Sequence, residues 1–385
     1  MTARKIKSGV FAPPFYAPGE DPTLCIERDL QLCQFLDQLG FDEFWMGEHH
    51  SGGWQLIGSP DLFIAAAAER TRRIMLGTGV VVLPYHHPLM VAQRIVQLDH
   101  QTRGRVILGV GPGLLPSDAK MLGIPISERR DRTAQSLEII LRLMAGEVVT
   151  EDLGWCKLVD ARLQLLPYSQ PRPEIAVLSM VTPFGGTLAG RLGCGLICLA
   201  AASSKGHDNL AVNWAIAEEI AAEQGRQMDR GAQRIVAPMH IAETREKARA
   251  DVELGYGNYL NYRMAINPPA GKIDTGLKGS LDEMIKERQV VVGTPDDALA
   301  QMERVWEKTG GFGVWLQMAH NWADFEATKR SYELYARYVI PKFEARNRGR
   351  EAALEYVRDH GRAFAAEAQQ AIVQTFEKHG RKFET

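Results

Sequence analysis

Cysteine is scarce in this chain: five thiols in 385 residues, at Cys25, Cys33, Cys156, Cys194 and Cys198. The number is odd, the spacing is scattered and no C-x-x-C pair occurs. Neither a disulfide framework nor a cysteine-rich zinc site is written in that pattern. Cys194 and Cys198 stand in an apolar run and read as core thiols, as expected in a reducing cytosol. An excess of one charge is missing as well. Lysine and arginine total 45 against 47 acidic residues, a net charge of -2, which argues against a nucleic-acid partner. No run of about 18 apolar residues occurs, so no membrane partner is expected. The basic start, residues 1–7, lacks the apolar stretch of a signal peptide. A soluble cytoplasmic protein is the expectation. No H-E-x-x-H, G-x-x-x-x-G-K-[ST] or G-x-S-x-G spacing is found, so no metal, P-loop or hydrolase elbow is expected.

What the chain has in quantity is apolar sequence, 45% of its residues, arranged in a rhythm. Eight short apolar runs, at 8–12, 43–47, 74–83, 105–110, 175–178, 196–200, 235–241 and 312–316, alternate with segments of helical periodicity. The run at 74–83 is β-branched and apolar almost throughout, as in strands buried on both faces. Alternation of this kind favours a parallel sheet. Eight units in about 340 residues predict an α/β (β/α)8 TIM barrel with insertions, with a doubly wound sheet as the alternative. Residues 148–167 read as an extended excursion. Residues 256–287, rich in proline and glycine, read as an irregular lid. Residues 1–343 are expected to form the barrel and 344–385 a C-terminal helical extension, packed on the barrel or on a second subunit.

In a barrel, chemistry gathers at the carboxyl ends of strands. The second run ends in Glu48-His49-His50, the third in Tyr85-His86-His87, the fourth in Gly111-Pro112-Gly113 and the fifth in Ser179-Met180-Val181-Thr182. Histidine titrates nearest neutrality and suits acid–base work, although paired histidines in loops are commonly surface groups. The glycine run at 109–113 is either a tight turn or a place where backbone approaches a ligand. Ser179 and Thr182 precede a helix start, where anions bind and where hydroxyls also serve as caps. Arg129, Arg130 and Arg132 open another helix, an unfavourable place for cations unless an anion is near.

These motifs, in this order, resemble the bacterial luciferase-like flavin monooxygenases. The likeness rests on Gly40-Phe41-Asp42-Glu43-Phe44-Trp45-Met46-Gly47-Glu48-His49-His50, on Gly77-Thr78-Gly79-Val80-Val81-Val82-Leu83-Pro84 with His87-Pro88, and on Gly109-Val110-Gly111-Pro112-Gly113. Arg130-Asp131-Arg132 and Gly293-Thr294-Pro295 add to it, and residues 330–343 look most like the limonene-monooxygenase-type branch. The resemblance covers roughly residues 7–340. It implies reduced FMN supplied by a separate flavin reductase, O2 as co-substrate, a C4a-peroxide on the flavin, and a small apolar substrate such as a terpene or cyclic ketone. His49 would be the catalytic acid/base and Glu48 the acid that orients it. Gly79 and Val80 would form a non-proline cis peptide beneath the flavin ring. Gly111, Gly113, Arg130, Ser179 and Thr182 would meet the cofactor, and Trp54, His86 and Leu114 the substrate. A homodimer is expected. One departure is Pro112, which stands where luciferase has a phosphate-binding arginine. It leaves F420-dependent hydride transfer as an alternative, with a non-catalytic flavin-binding subunit as a third reading.

Overall fold

The computed structural model describes residues 4–199, 204–266 and 279–382. Eight parallel strands close into a barrel: β1 (Lys7–Ala12), β2 (Glu43–Met46), β3 (Met75–Thr78), β4 (Val106–Gly111), β5 (Glu174–Ser179), β6 (Gly195–Cys198), β7 (Gln233–Ile241) and β8 (Val314–Met318). Each pairs with the next, and β8 closes on β1 with Lys7 opposite Val314 and Phe11 opposite Met318. The strands are almost wholly buried because helices cover their outer face and side chains fill the inner one.

The barrel interior is built around Trp45, which packs with Phe11, Ile107, Ala176, Ile197, Val236 and Leu316. An indole is wide for this space, and glycines on the neighbouring strands make room. A Cβ on Gly77 would come within 2.3 Å of the indole, and one on Gly109 within 2.0 Å of the Thr78 carbonyl. Gly109 is therefore a glycine because strand and indole crowd it, not because the chain turns there. Below Trp45, Arg234 bonds bidentately to Glu43 at 2.8 and 2.9 Å and reaches Glu174 at 2.8 Å. All three stand at or next to the starts of their strands, so this buried ion-pair network plugs the N-terminal end. Ligand space is left at the C-terminal mouth.

The excursion at 148–167 is an antiparallel hairpin, Val149–Asp152 with Lys157–Ala161. A further short strand, Val291–Gly293, adds to the far half of β7. The expected irregular lid is corrected. A helix runs Arg245–Ile266 and a second, opened by a Ser280–Glu283 capping box, runs Leu281–Lys286. Residues 267–278 of the expected lid lie outside the described residues. Tyr256, Tyr259 and Tyr262 of the long helix pack with Phe15, Met284 and Trp322 in a second apolar cluster.

The chain forms two compact units, residues 5–339 and residues 340–382 with Arg4. The second contains Arg348–Lys378, a helix of 31 residues with none buried. Pro341 lies in the short helix Ile340–Phe343, which follows directly on a π turn over Tyr335–Val339. Among the described residues, no helix is long and apolar enough to cross a membrane.

Candidate active site

At the C-terminal mouth lies a cavity with about 1030 Å³ of empty space, its opening included. Every strand-end segment that reaches it carries apolar or small residues. Phe11, Pro13 and Phe15 come from β1 and its loop, Leu178 and Met180 from the end of β5, and Leu199, Pro238 and Met318 from β6 to β8. Gly79 and Val80, joined by a cis peptide, form one wall. Polar groups are few: Glu48, His49, Gln55 and Arg263. An apolar cleft with a small number of placed polar groups is the usual form of a cofactor site.

His49 faces this cavity from the end of β2. Its backbone N–H donates to Ile57 O at 3.0 Å, which turns the chain back on itself. The imidazole Nδ1 lies 3.0 Å from Asp118 Oδ2. Asp118, almost inaccessible, also accepts from the His50 backbone N–H at 3.2 Å and from the Ser51 hydroxyl. Burial pushes the Asp118 carboxyl up, but bonds from His49 and Ser51 outweigh it and hold it below its ordinary value. An ionised carboxylate only accepts, so His49 Nδ1 carries the proton of this bond and Nε2 is the nitrogen left for proton exchange.

Glu48 does something else. Its Oε1 accepts from His50 Nε2 at 2.9 Å and His86 Nε2 at 2.7 Å, and its Oε2 from the Val82 N–H at 2.9 Å. Burial raises this carboxyl, yet the two imidazole bonds bring it below the usual range. The Glu48 bond in turn raises His50. Glu48 thus ties the end of β2 to the segment after β3. The acid that orients His49 is Asp118 and not Glu48, which corrects the expectation.

Of the other expected residues, Gly79, Val80, Gly113 and Leu114 line the cavity. Gly111 is not among the lining residues, but a Cβ on it would meet Val80 Cγ2 at 3.0 Å and Leu178 Cβ at 3.3 Å. Five others are not among the residues lining the cavity. His86 is committed to Glu48. Trp54 stacks on Tyr262 at 4.5 Å and 14°, and its neighbour Gln55 lines the cavity instead. Arg130 is exposed on the first turn of Arg129–Met144, while Arg129 donates to Gly113 O at 3.1 Å. The Ser179 hydroxyl, buried, accepts from Asn213 Nδ2 at 3.0 Å and so points into the helix layer. Thr182 is exposed in the turn before Phe184–Leu192.

Three residues escaped the sequence reading: Asp118, Gln55 and Arg263. Arg129 was read there only as one of the arginines that open its helix, beside Arg130. Asp118 had none, because it lies 69 positions from its partner. Among the described residues, no group of three or more His, Cys, Asp or Glu side chains is placed to hold a metal ion.

Residues 6–313 match the family profile described as luciferase-like monooxygenase. The chain is 47% identical to the 4-hydroxyprotoasukamycin monooxygenase of Streptomyces nodosus subsp. asukaensis, over 94% of this chain and 99% of that one. It is 46% identical to the limonene 1,2-monooxygenase of Rhodococcus erythropolis, over 88% and 87%. Among solved structures it superposes on the oxygenating constituent of 3,6-diketocamphane monooxygenase from Pseudomonas putida, a type II Baeyer–Villiger enzyme in complex with FMN. That match has a TM-score of 0.72 and 25% identity, covering 88% of this chain and 98% of that one.

Proposed function

The chain belongs to the luciferase-like monooxygenase family, and from that premise we propose that it takes reduced FMN from a separate reductase and oxygenates a small, mainly apolar substrate, such as a terpene or cyclic ketone, with O2. The observation that carries this reading is the His49–Asp118 pair facing an apolar cavity at the open end of the barrel. The residues present fit a flavin. A slot walled by Gly79, Val80, Leu178, Met180 and Met318 suits a flat aromatic ring. Arg129 beside Gly113 and Thr182 in the next strand-end turn offer cation and hydroxyl to a phosphate. Arg129 takes the place expected of Arg130, and Thr182 keeps its expected role without Ser179.

Reduced FMN, when bound, would supply the two electrons with which O2 gives one atom to the substrate and the other to water. The chain's own residues divide the remaining work. His49 Nε2 takes up and returns a proton at the reacting oxygen, with Asp118 fixing the tautomer. Glu48 is a positioning residue that holds the β2 and β3 ends together. Leu114, Phe15 and Tyr259 wall off water from the reacting end. The C-terminal helix makes a homodimer through Leu354, Val357 and Phe364, exposed at helical spacings of three and seven.

Anaerobic titration with reduced FMN and with F420 tests the cofactor assignment. Binding of reduced FMN, with F420 much weaker, is expected. Tight F420 binding without oxygen-dependent turnover would overturn it.

A further inference from the structure

Arg263 sits in the last turn of Arg245–Ile266, the helix that roofs the mouth on the β1 and β2 side. It is 8% exposed and lines the cavity. Among the described residues lining that cavity, it is the only arginine or lysine. Among the described residues, no hydrogen bond or ion pair holds its guanidinium. The helix that carries it is aromatic here, with Tyr259 and Tyr262 edge-on to Phe15. Gln55, whose backbone bridges to Phe15, also lines the cavity; it is 5% exposed and its Oε1 has no partner among the described residues. An amide can be turned either way round, so Gln55 offers a donor or an acceptor there.

A guanidinium opening into an apolar cavity, beside an amide oxygen buried without a partner, makes a site that a ligand with matching polar atoms would complete. Arg263 has five donors in a planar fork, the shape that matches a carboxylate and also grips a single carbonyl oxygen. We propose that Arg263, with Gln55, binds an acceptor oxygen on the substrate, so that the substrate is an apolar skeleton bearing a carboxylate or ketone and not a bare hydrocarbon. This rests on the oxygenase reading above and narrows its substrate class. The FMN phosphate is a poorer occupant. A dianion needs several converging donors, and here there is one cation among aromatic rings. Arg129 bonds Gly113 O after β4 and Thr182 follows β5, whereas Phe15 and Gln55, beside the Arg263 helix, follow β1 and β2. A cofactor held there leaves the Arg263 side to the substrate.

Three probes share one ring skeleton and differ in a single group: limonene (hydrocarbon), carvone (ketone) and perillate (carboxylate). Their binding to the full chain is measured by calorimetry, without turnover. Perillate is expected to bind at least about tenfold tighter than limonene, with carvone between. Arg263→Gln should weaken perillate by about tenfold and leave limonene within about twofold, and Arg263→Lys should recover part of the loss. Gln55→Leu should weaken carvone and perillate but not limonene. Equal affinity for all three probes in the unmodified protein would overturn the proposal. So would an equal loss for limonene in Arg263→Gln, which would mark a packing role. Loss of the preference for FMN over riboflavin in that variant would assign Arg263 to the cofactor and also overturn it. Oxygen-dependent turnover with reduced FMN but no probe preference would sink this inference alone. A probe preference without such turnover would sink the oxygenase reading alone.

Discussion

His49→Ala is expected to lower turnover by about 10²–10⁴-fold, the usual reach of a positioned acid or base, while the melting temperature stays close to that of the unmodified chain. A normal rate in that variant would remove His49 from its role. Asp118 acts through His49, and such partners are commonly worth about 10–100-fold. Asp118→Asn should therefore lower kcat by that amount and leave KM nearly unchanged, and a loss confined to KM would contradict it. Glu48 is read through stability and pH. Its carboxyl titrates below the ordinary value in the folded chain. Its contribution is present above the unfolded value near pH ~4.3 and is lost as pH falls through the lower folded value. His50 has the opposite sign. Raised by Glu48, it contributes fully below about 6.5 and fades as pH rises through its folded value. Glu48→Gln should thus cost about 1.5–3 kcal/mol between those limits and less on either side. Denaturant unfolding at pH 3.5, 6 and 9 checks this, and a deficit independent of pH would contradict it.

Among the elements, β2 and the helix Arg245–Ile266 carry the site, and they were not equally legible. The end of β2 could be read because an apolar run stops at a charged triplet in the place where a barrel strand delivers its chemistry. The sequence motif also identified Gly79 and Val80. The roof helix could not be read from local preference. Gly255, Gly257, Asn258 and Asn261 are poor helix formers, and proline follows at 268 and 269. Packing overrides that preference. Tyr256, Tyr259 and Tyr262 put one aromatic face on Phe15 and Trp322, and a Cβ on Gly255 would lie 2.0 Å from Trp322 O. The spacing of three between those tyrosines was the available signal, and Arg263 follows on the next position. Asp118 and Glu48 show the opposite limit. Motif order named Glu48 as the partner of His49, but only the folded chain decides which carboxylate meets which imidazole. At this scale Trp45 and its glycines make a prediction. Gly77→Ala should cost about 1–3 kcal/mol through overcrowding. In a Trp45→Leu background the same substitution should cost much less. Equal costs in both backgrounds, by denaturant unfolding, would contradict the packing argument.

For the whole molecule, the barrel plugged by Arg234, Glu43 and Glu174 at one end and roofed by aromatics at the other leaves one apolar chamber for cofactor and substrate together. The C-terminal helix has no buried residue and carries Leu354, Val357 and Phe364 exposed on its surface. In sedimentation velocity the full chain should run as a dimer and a chain ending at Phe343 as a monomer. A monomeric full chain would contradict the assignment of that face. The chemistry itself is tested most directly by isotope. The chain, with reduced FMN supplied by a flavin reductase, is given ¹⁸O2 and a panel of monocyclic terpenes, cyclic ketones and terpene carboxylates, and the products are weighed by mass spectrometry. A product carrying a single ¹⁸O atom, absent with His49→Ala, is the predicted result. Turnover that depends on F420 and leaves no ¹⁸O in the product would contradict it.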